Sequence, residues 1–243
     1  MIREILNESY AGILQGQVGT ALTLLHAGLD EARRRMSDHE WRSLVEPACL
    51  SHPVAALIHQ DPFTATAFAA ADAGSADQRA LDCIYYGAMC CTGGADRPSL
   101  GRRIFGYTTN TAIARALRCQ RSYVASVIDS VAEQVSCPRV LAIKPGLLRE
   151  AGLSYALTNC DLAELVAFDN DQPTLDRIAS EYGRSSVCTV HGSPLAVARG
   201  DQDLADYGLR HFDLAYSSNL FNQLSTEAGQ RLALSMWQAL RPG

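Results

Sequence analysis

The chain has 243 residues, of which 47% are hydrophobic, 19% are charged and 7% are aromatic. This composition excludes an intrinsically disordered chain, and no apolar run approaches the roughly 18 residues that a membrane span needs. The 21 lysines and arginines against 26 aspartates and glutamates give a net charge of −5, which excludes a strong general attraction to nucleic acid. We therefore expect one large or two small domains, no membrane or nucleic-acid partner, and a small-molecule substrate.

Cysteine usage and the N-terminal segment indicate the compartment. The 8 cysteines form no Cys-x-x-Cys pair, so we expect neither a structural zinc nor another bound metal. The segment from Met1 to Glu8 is amphipathic and lacks the apolar core of a signal peptide. These features predict a cytoplasmic chain with reduced thiols.

The part of the chain before Pro138 has a helical pattern. Apolar residues recur at helical spacing from Ile13 to Leu29. A second helix is predicted over about 38–50, with Ser37 or Asp38 as its N-cap, and a third begins at Asp61-Pro62. Further helices are predicted at 76–88 and 111–133, and a loop at 91–99. We interpret residues 1–135 as an all-helical domain.

After Pro138, short apolar runs alternate with helical stretches. Strands are predicted at 139–143, 165–168, 186–190 and 212–216, and helices at 147–157, 173–182 and 226–240. This alternation predicts right-handed βαβ units and a parallel sheet, which binds ligands at the carboxyl ends of its strands. The site is therefore expected in the loops after residues 143, 168, 190 and 216.

The spacing of one glycine and one aspartate is typical of a nucleotide site. Gly146 follows the first predicted strand, and Asp169 ends the second, 23 residues later. In dinucleotide-binding folds, an acidic side chain about 20 residues after the glycine turn accepts hydrogen bonds from ribose hydroxyls. An ordinary βα turn, with Asp169 or Asp171 as a helix N-cap, is the alternative interpretation.

Short motifs follow these predicted elements in a fixed order. They lie at 140–146, 168–173, 190–194, 212–219 and 240–243. In this order, the five segments correspond to a first glycine-rich motif, a ribose-binding acidic motif, an adenine-contacting turn, a fourth-strand motif and a turn before a fifth strand. In these motifs the segment 140–243 resembles the class I S-adenosylmethionine-dependent methyltransferases.

Almost the whole chain also resembles a narrower family within that superfamily, the bacterial proteins for biosynthesis of the extracellular factor 3-hydroxypalmitic acid methyl ester. The matching positions are 52–53, 61–64, 81–82, 84–85, 101–105, 107–111, Arg118, Arg121 and 148–151.

The resemblance implies an α/β fold, with a Rossmann-like methyltransferase sheet over 136–243 and an all-helical N-terminal cap, or substrate domain, over 1–135. It implies S-adenosylmethionine as cofactor and methyl transfer to a small acceptor such as a carboxylic acid. Because a fifth strand would begin near residue 240, we expect the sheet to be incomplete at its C-terminal side. Continuation in a longer protein is the favoured explanation, and completion by a second chain is the other, with a homodimer as the candidate assembly.

The same resemblance assigns cofactor binding to residues of the strand-end loops, namely Lys144, Pro145, Gly146, Asp169, Asn170, Gly192, Ser193, Pro194, Ser217 and Ser218. Arg118 and Arg121 lie one helical turn apart, so we expect them to clamp a carboxylate of the cofactor or of an acceptor, with a surface salt bridge as the alternative. The chemistry of a sulfonium ligand places Tyr107, Tyr216, Asn219 and Asn222 at the reacting end. An aromatic face stabilises a sulfonium-type cation, and side-chain amides accept hydrogen bonds from an amine without adding charge.

The first motif departs from the family pattern, and the departure leaves three functions open. Ala142, Lys144 and Pro145 stand where acidic or small residues are usual, so the turn that approaches the methionine part of the cofactor is altered. Methyl transfer is the first interpretation. The second is cyclisation of S-adenosylmethionine to azetidine-2-carboxylate, with release of methylthioadenosine. The third is a cofactor-binding pseudoenzyme subunit.

Overall fold

The computed structural model describes residues 2–73, 78–87, 99–183, 186–218 and 220–242. It divides into two compact units, Met1–Arg118 and Cys119–Gly243. The point of division lies within a helix that runs from Ala112 to Gln134. The loop predicted at 91–99 lies outside the described residues, except that Ser99 begins a helix.

The first unit is all-helical in its described residues, as the sequence predicts. Its helices are α1 (Ile2–Leu14), α2 (Val18–Arg35), α3 (Asp38–Glu40), α4 (Glu46–Ser51), α5 (Pro53–Ile58), α6 (Pro62–Ala73), α7 (Gln78–Tyr86), α8 (Ser99–Thr108) and the start of α9 (Ala112–Gln134). A π-helical turn, Trp41–Val45, joins α3 to α4. The amphipathic stripe forms the core, in which Ile13, Leu22 and Leu25 are buried.

Two of the predicted helix starts in this unit are confirmed by their capping hydrogen bonds. The Ser37 hydroxyl accepts a hydrogen bond from the backbone N–H of Glu40, and the Glu40 carboxylate accepts one from the N–H of Ser37, which forms a capping box. The fully buried Asp61 accepts hydrogen bonds from the N–H groups of Phe63 and Thr64 at the start of α6. Local capping chemistry therefore sets these two boundaries.

The second unit contains a four-stranded parallel sheet with the strand order β3-β2-β1-β4. Its strands are β1 (Arg139–Ile143), β2 (Glu164–Asp169), β3 (Val187–His191) and β4 (Leu214–Tyr216). This is the order of the first four strands in the doubly wound nucleotide-binding fold. The chain is therefore an α/β protein with a Rossmann-like sheet and a helical N-terminal region.

Helices cover both faces of the sheet, and each face has its own core. One face buries Val140, Ala142, Leu165 and Ala167 against α9 and α11 (Gln172–Tyr182). The other buries Leu141, Ile143, Val166 and Phe168 against α12 (Pro194–Arg199) and α13 (Thr226–Ala239). Since alternate residues of a strand point to opposite faces, the apolar runs of β1 and β2 are explained by burial on both sides.

The prediction of a helix at 147–157 is wrong. Leu148 has a φ of 52°, which a continuous right-handed helix excludes. A 3-10 turn, Ala151–Leu153, and the short helix α10 (Tyr155–Thr158) occupy part of the range instead. Ser154 caps α10 by accepting a hydrogen bond from the N–H of Leu157 at 3.2 Å. The apolar spacing is compatible with a helix, but the backbone conformation of the turn after β1 prevents a helix from forming there.

The strand predicted at 212–216 is shorter, because Phe212 pairs on the opposite side from β1. Phe212 forms a parallel bridge with Leu240, and its N–H donates to the carbonyl of Ala239 at 3.0 Å. The N–H of Arg241 returns a bond to the Phe212 carbonyl at 2.9 Å. Residue 240, where the sequence predicts a turn before a fifth strand, therefore already contacts this side of the sheet.

No helix of the described segments combines the length and the apolar composition that crossing a membrane requires.

Candidate functional site

The carboxyl ends of the four strands lie along one edge of the sheet, as predicted. The strand register places Ile143 beside Phe168, Asp169 beside His191, and Ala142 beside Tyr216. The loops that follow therefore bring together most of the site residues predicted from the sequence, namely Lys144, Pro145, Gly146, Asp169, Asn170, Gly192, Ser193, Pro194, Tyr216, Ser217 and Ser218.

The turn after β1 has an unusual backbone. Lys144, Gly146 and Leu148 have φ values of 49°, 60° and 52°. The N–H of Lys144 donates to the carbonyl of Phe168 at 2.8 Å, and this bond ties the turn to β2. Left-handed conformations are costly for Lys144 and Leu148, and such conformations cluster at ligand clamps and active sites. The proline and lysine that depart from the family motif are thus accommodated in a tight, left-handed turn.

Asp169 ends β2 as a buried acid with one oxygen held in place. The residue is only 3% exposed. Oδ1 accepts hydrogen bonds from the N–H groups of Asn170 at 2.7 Å and Asp171 at 3.2 Å. Within the described ranges, no donor lies on Oδ2. The second oxygen is therefore available to accept a hydrogen bond from a ligand hydroxyl.

The charge state of Asp169 is set by opposing effects. Burial raises the pKa of the Asp169 carboxyl, while the two backbone hydrogen bonds and the Lys144 ammonium oppose that rise. The N-cap position of α11 is occupied by Asp171, whose carboxylate accepts a hydrogen bond from the Thr174 hydroxyl and none from a backbone N–H of the helix. The position of Asp169 is thus not required to start the helix.

The turn after β3 depends on glycine at position 192. A Cβ atom there would lie 2.3 Å from Phe168 Cε2 and 2.4 Å from Tyr207 Cε1. The two rings pack edge to face with their centroids 4.9 Å apart. Ser193 then caps α12 by accepting a hydrogen bond from the N–H of Ala196 at 3.1 Å. Gly192 therefore lets the chain pass closely over the aromatic side chain that precedes Asp169.

The side chain of Tyr207 contacts the turn after β3, and the sequence did not predict this contact. Its hydroxyl accepts a hydrogen bond from the N–H of Ser193 at 3.3 Å and donates one to the Gln202 side chain. The only local signal is the capping box of Asp203 with Asp206, which begins the 3-10 turn that carries Tyr207. No motif of the resemblance includes it.

The end of β4 carries a buried acid–phenol pair. The Tyr216 hydroxyl donates a hydrogen bond to Glu150 Oε1 at 2.5 Å, and Glu150 is 6% exposed. Burial raises the pKa of the Glu150 carboxyl, although the Tyr216 hydrogen bond and the charge of Arg121 oppose the rise. Burial and the charge of Glu150 raise the pKa of Tyr216 well above its ordinary value.

Sequence reasoning predicted Tyr216 as a site residue but gave Glu150 no role. The signal in the sequence for a role of Glu150 is its place among apolar residues, directly before Ala151 and close to Leu147 and Leu148. These three apolar residues are buried. A charged side chain inside such a run is buried only when it is paired.

We expect replacement of Glu150 with glutamine to preserve or increase stability at neutral pH. Because its pKa is raised, the folded protein binds the Glu150 proton more tightly than the unfolded chain does. The ionised carboxylate therefore lowers the free energy of unfolding above the folded-state pKa, and this loss disappears as the pH falls below about 4. Urea denaturation between pH 7.5 and pH 4 should show the difference between variant and wild type shrinking on acidification. A wild type that is more stable than the variant at pH 7.5 would contradict this.

Two further residues at the end of β4 have distinct environments. Ser217 Oγ is buried and makes no hydrogen bond with the residues that the structure describes. The carbonyl of Ser218 accepts a hydrogen bond from the Gln120 amide at 2.6 Å. Asn219, predicted for the reacting end, lies outside the described residues, and Asn222 is exposed in the 3-10 turn Phe221–Gln223.

Tyr107 and Arg118 belong to the first unit and are engaged there. The Tyr107 hydroxyl lies 3.0 Å from that of Thr23. The Arg118 guanidinium donates to the carbonyls of Ile84 at 3.2 Å and Thr109 at 2.7 Å. Arg121 belongs to the second unit, where its Nε donates to the carbonyl of Arg149 at 2.9 Å. The two arginines predicted to clamp a carboxylate thus hold backbone carbonyls.

Comparison with known proteins identifies no family. No protein-family model and no curated protein matches the sequence. A solved TehB-like S-adenosylmethionine-dependent methyltransferase from Corynebacterium glutamicum is 17% identical, with a TM-score of 0.36 over 48% of this chain and 55% of that one. A possible exported protein from Bordetella parapertussis is 18% identical, with a TM-score of 0.47 over 62% and 47%. The chain thus spans about half the length of each of these structures.

Proposed function

We propose that the second unit binds S-adenosylmethionine at the carboxyl edge of its sheet and that the protein transfers the methyl group to a small acceptor. The observation that carries this proposal is Asp169, whose Oδ1 is fixed by two backbone N–H groups while Oδ2 has no donor among the described residues. An acid at the end of β2, after a glycine turn at the end of β1, is the ribose-binding element of this topology. The motif order of residues 140–243 supports S-adenosylmethionine as the nucleoside ligand.

The residues present fit the charges of that cofactor. Asp169 Oδ2 would accept a ribose hydroxyl, and the turn of Gly192 and Ser193 would border the adenine. Lys144, which is partly exposed and 3.5 Å from Gln223 Oε1, offers an ammonium group to the carboxylate of the methionine part. Tyr216 and Ser217 would border the reacting end.

Bound S-adenosylmethionine supplies an electrophilic methyl group on a sulfonium. The protein's task is to place an acceptor oxygen roughly 3–3.5 Å from that carbon and to exclude water, because a carboxylate acceptor needs no general base. The buried hydroxyl of Ser217, without a hydrogen bond in the described structure, is suited to orient such an oxygen. We assign acceptor binding to the helical residues 1–135.

Replacing Lys144 with methionine should weaken S-adenosylmethionine binding about tenfold, since one charge-assisted hydrogen bond to the cofactor carboxylate is lost. Lys144→Arg is the matched control, because it keeps the charge, and it should bind nearly as the wild type does. The measurement is isothermal titration calorimetry. Tighter binding by the methionine variant would mean that Lys144 repels the sulfonium and does not hold the carboxylate.

Product analysis tests the proposed reaction. The full chain is incubated with S-adenosylmethionine alone and with a panel of small carboxylic acids, and products are identified by mass spectrometry. S-adenosylhomocysteine formed only with an acceptor supports methyl transfer. Methylthioadenosine formed without an acceptor would replace that function with cyclisation to azetidine-2-carboxylate. Binding without turnover would indicate a cofactor-binding subunit, and absence of binding would overturn the cofactor assignment.

A further inference from the structure

Glu150 and Tyr216 lie at the point of the sheet where its strand order reverses direction. From β1 the chain proceeds to β2 and β3 on one side, and then returns to β4 on the other. Tyr216 is the last residue of β4 and lies opposite Ala142 of β1, while Glu150 lies in the segment that leaves β1. In open α/β sheets, ligands bind in the crevice at this topological switch point.

A buried carboxyl group has a desolvation cost that an apolar side chain does not have. Glu150 is 6% exposed, and its Oε1 accepts the Tyr216 hydrogen bond at 2.5 Å. A buried carboxylate loses its hydration, and well-packed apolar residues often stabilise such a position as well or better. Tyr216 itself is only partly buried, and it packs against the core on the side of α9 and α11. The position of this pair at the switch point is where the topology expects a ligand.

The charged and titratable groups around the pair come from three elements. Arg121 of α9 places a positive charge near Glu150 and favours its ionised form. Tyr182 of α11 donates a hydrogen bond to the Leu148 carbonyl at 3.3 Å. The guanidinium of Arg149 lies 3.4 Å from the carboxylate of Glu181, which offsets its positive charge. The phenol proton stays on Tyr216, whose pKa is raised well above its ordinary value, and it is the donor to Glu150.

We propose that Glu150 and Tyr216 together recognise the positive charge of the ligand, so that this site selects an organic cation such as a sulfonium over its neutral thioether. Tyr216 presents its ring face to the cation. Glu150 is a positioning residue, which holds the ring through the phenol hydrogen bond and adds negative charge behind it. This inference rests on the proposed function, since it names the charge that the same site selects.

The test compares S-adenosylmethionine with S-adenosylhomocysteine, which lacks the methyl group and its positive charge. Calorimetric titration of the full chain gives the ratio of the two dissociation constants. Glu150→Gln keeps a side-chain oxygen for the Tyr216 hydroxyl and removes only the charge. We expect this variant to lose about tenfold of the preference for the sulfonium, with S-adenosylhomocysteine affinity nearly unchanged.

Two further variants separate recognition from folding. Glu181→Gln is the matched control, because it removes a carboxylate of the same unit that is 44% exposed, and it should leave the ratio unchanged. If Glu150→Gln does not fold, Tyr216→Phe replaces it in the test, because this variant removes only the hydroxyl. The same ratio of the two dissociation constants is then measured for Tyr216→Phe. Equal weakening of both ligands by these variants would overturn the inference and leave the cofactor assignment intact. If the wild type binds neither ligand, the proposed function fails, and the inference fails with it.

Discussion

Replacing Asp169 with alanine should reduce S-adenosylmethionine affinity by about 100-fold. The carboxylate is the acceptor for a ribose hydroxyl, and a hydrogen bond to a charged group contributes about 1.5–3 kcal/mol. The effect should be larger than that of any other single substitution at this edge, because Asp169 is 3% exposed and already held by the N–H groups of Asn170 and Asp171. Such a fixed acceptor needs no reorganisation when a ligand binds.

Two controls make this result specific to the ligand. Asp169→Asn keeps an oxygen for the two backbone N–H groups, so it should fold normally while binding is still weakened. Asp171→Ala removes the hydrogen bond to Thr174 at the start of α11 and should leave cofactor affinity nearly unchanged. Calorimetry measures the affinities, and thermal denaturation confirms folding. Wild-type affinity in the alanine variant would refute the role given to Asp169.

Replacing Gly192 with alanine should both destabilise the second unit and weaken binding. The new Cβ would lie 2.3 Å from Phe168 Cε2 and 2.4 Å from Tyr207 Cε1, which no real contact permits. Phe168 is fully buried, so it can yield only by disturbing its surroundings. We expect a loss of about 1–3 kcal/mol in the free energy of unfolding, as for other overpacked cores.

We expect Gly192→Ala to weaken S-adenosylmethionine binding as well, because Phe168, which the new Cβ would displace, directly precedes Asp169 in β2. Gly152→Ala is the matched control, since a Cβ there meets nothing within 4 Å. Urea denaturation and calorimetry should show the control to be close to wild type in both stability and affinity. A Gly192→Ala variant with wild-type stability would mean that the two rings separate without cost, contrary to their packing in the sheet core.

The strands of the second unit could be predicted closely because their signals are local and strong. Arg139–Ile143 is predicted to the residue, and Asp169 is found by its distance from Gly146. The helix predicted at 147–157 fails because φ is positive at Leu148, which apolar spacing does not reveal. The short helix α12 is missed because its 6 residues are too few to show a periodic pattern.

The strand-end positions of the candidate site could be predicted for the same reason that the fold could. Strand-end positions follow from the topology, so Asp169, Gly192 and Ser217 could be located without coordinates. Glu150 and Tyr207 could not, because their roles depend on contacts with Tyr216 and Phe168 that lie far away in the sequence. The role of Arg118 stays a prediction, and its guanidinium donates to the carbonyls of Ile84 and Thr109, which are contacts that helical spacing does not reveal.

The most direct test of S-adenosylmethionine binding is equilibrium titration of the full chain with S-adenosylmethionine and, in parallel, with NAD, which the same strand order can also bind. We predict saturable binding of S-adenosylmethionine at one site per chain, loss of that binding in Asp169→Ala, and no competition by NAD. Saturable binding of NAD in place of S-adenosylmethionine, or no saturable binding of either, would contradict this prediction.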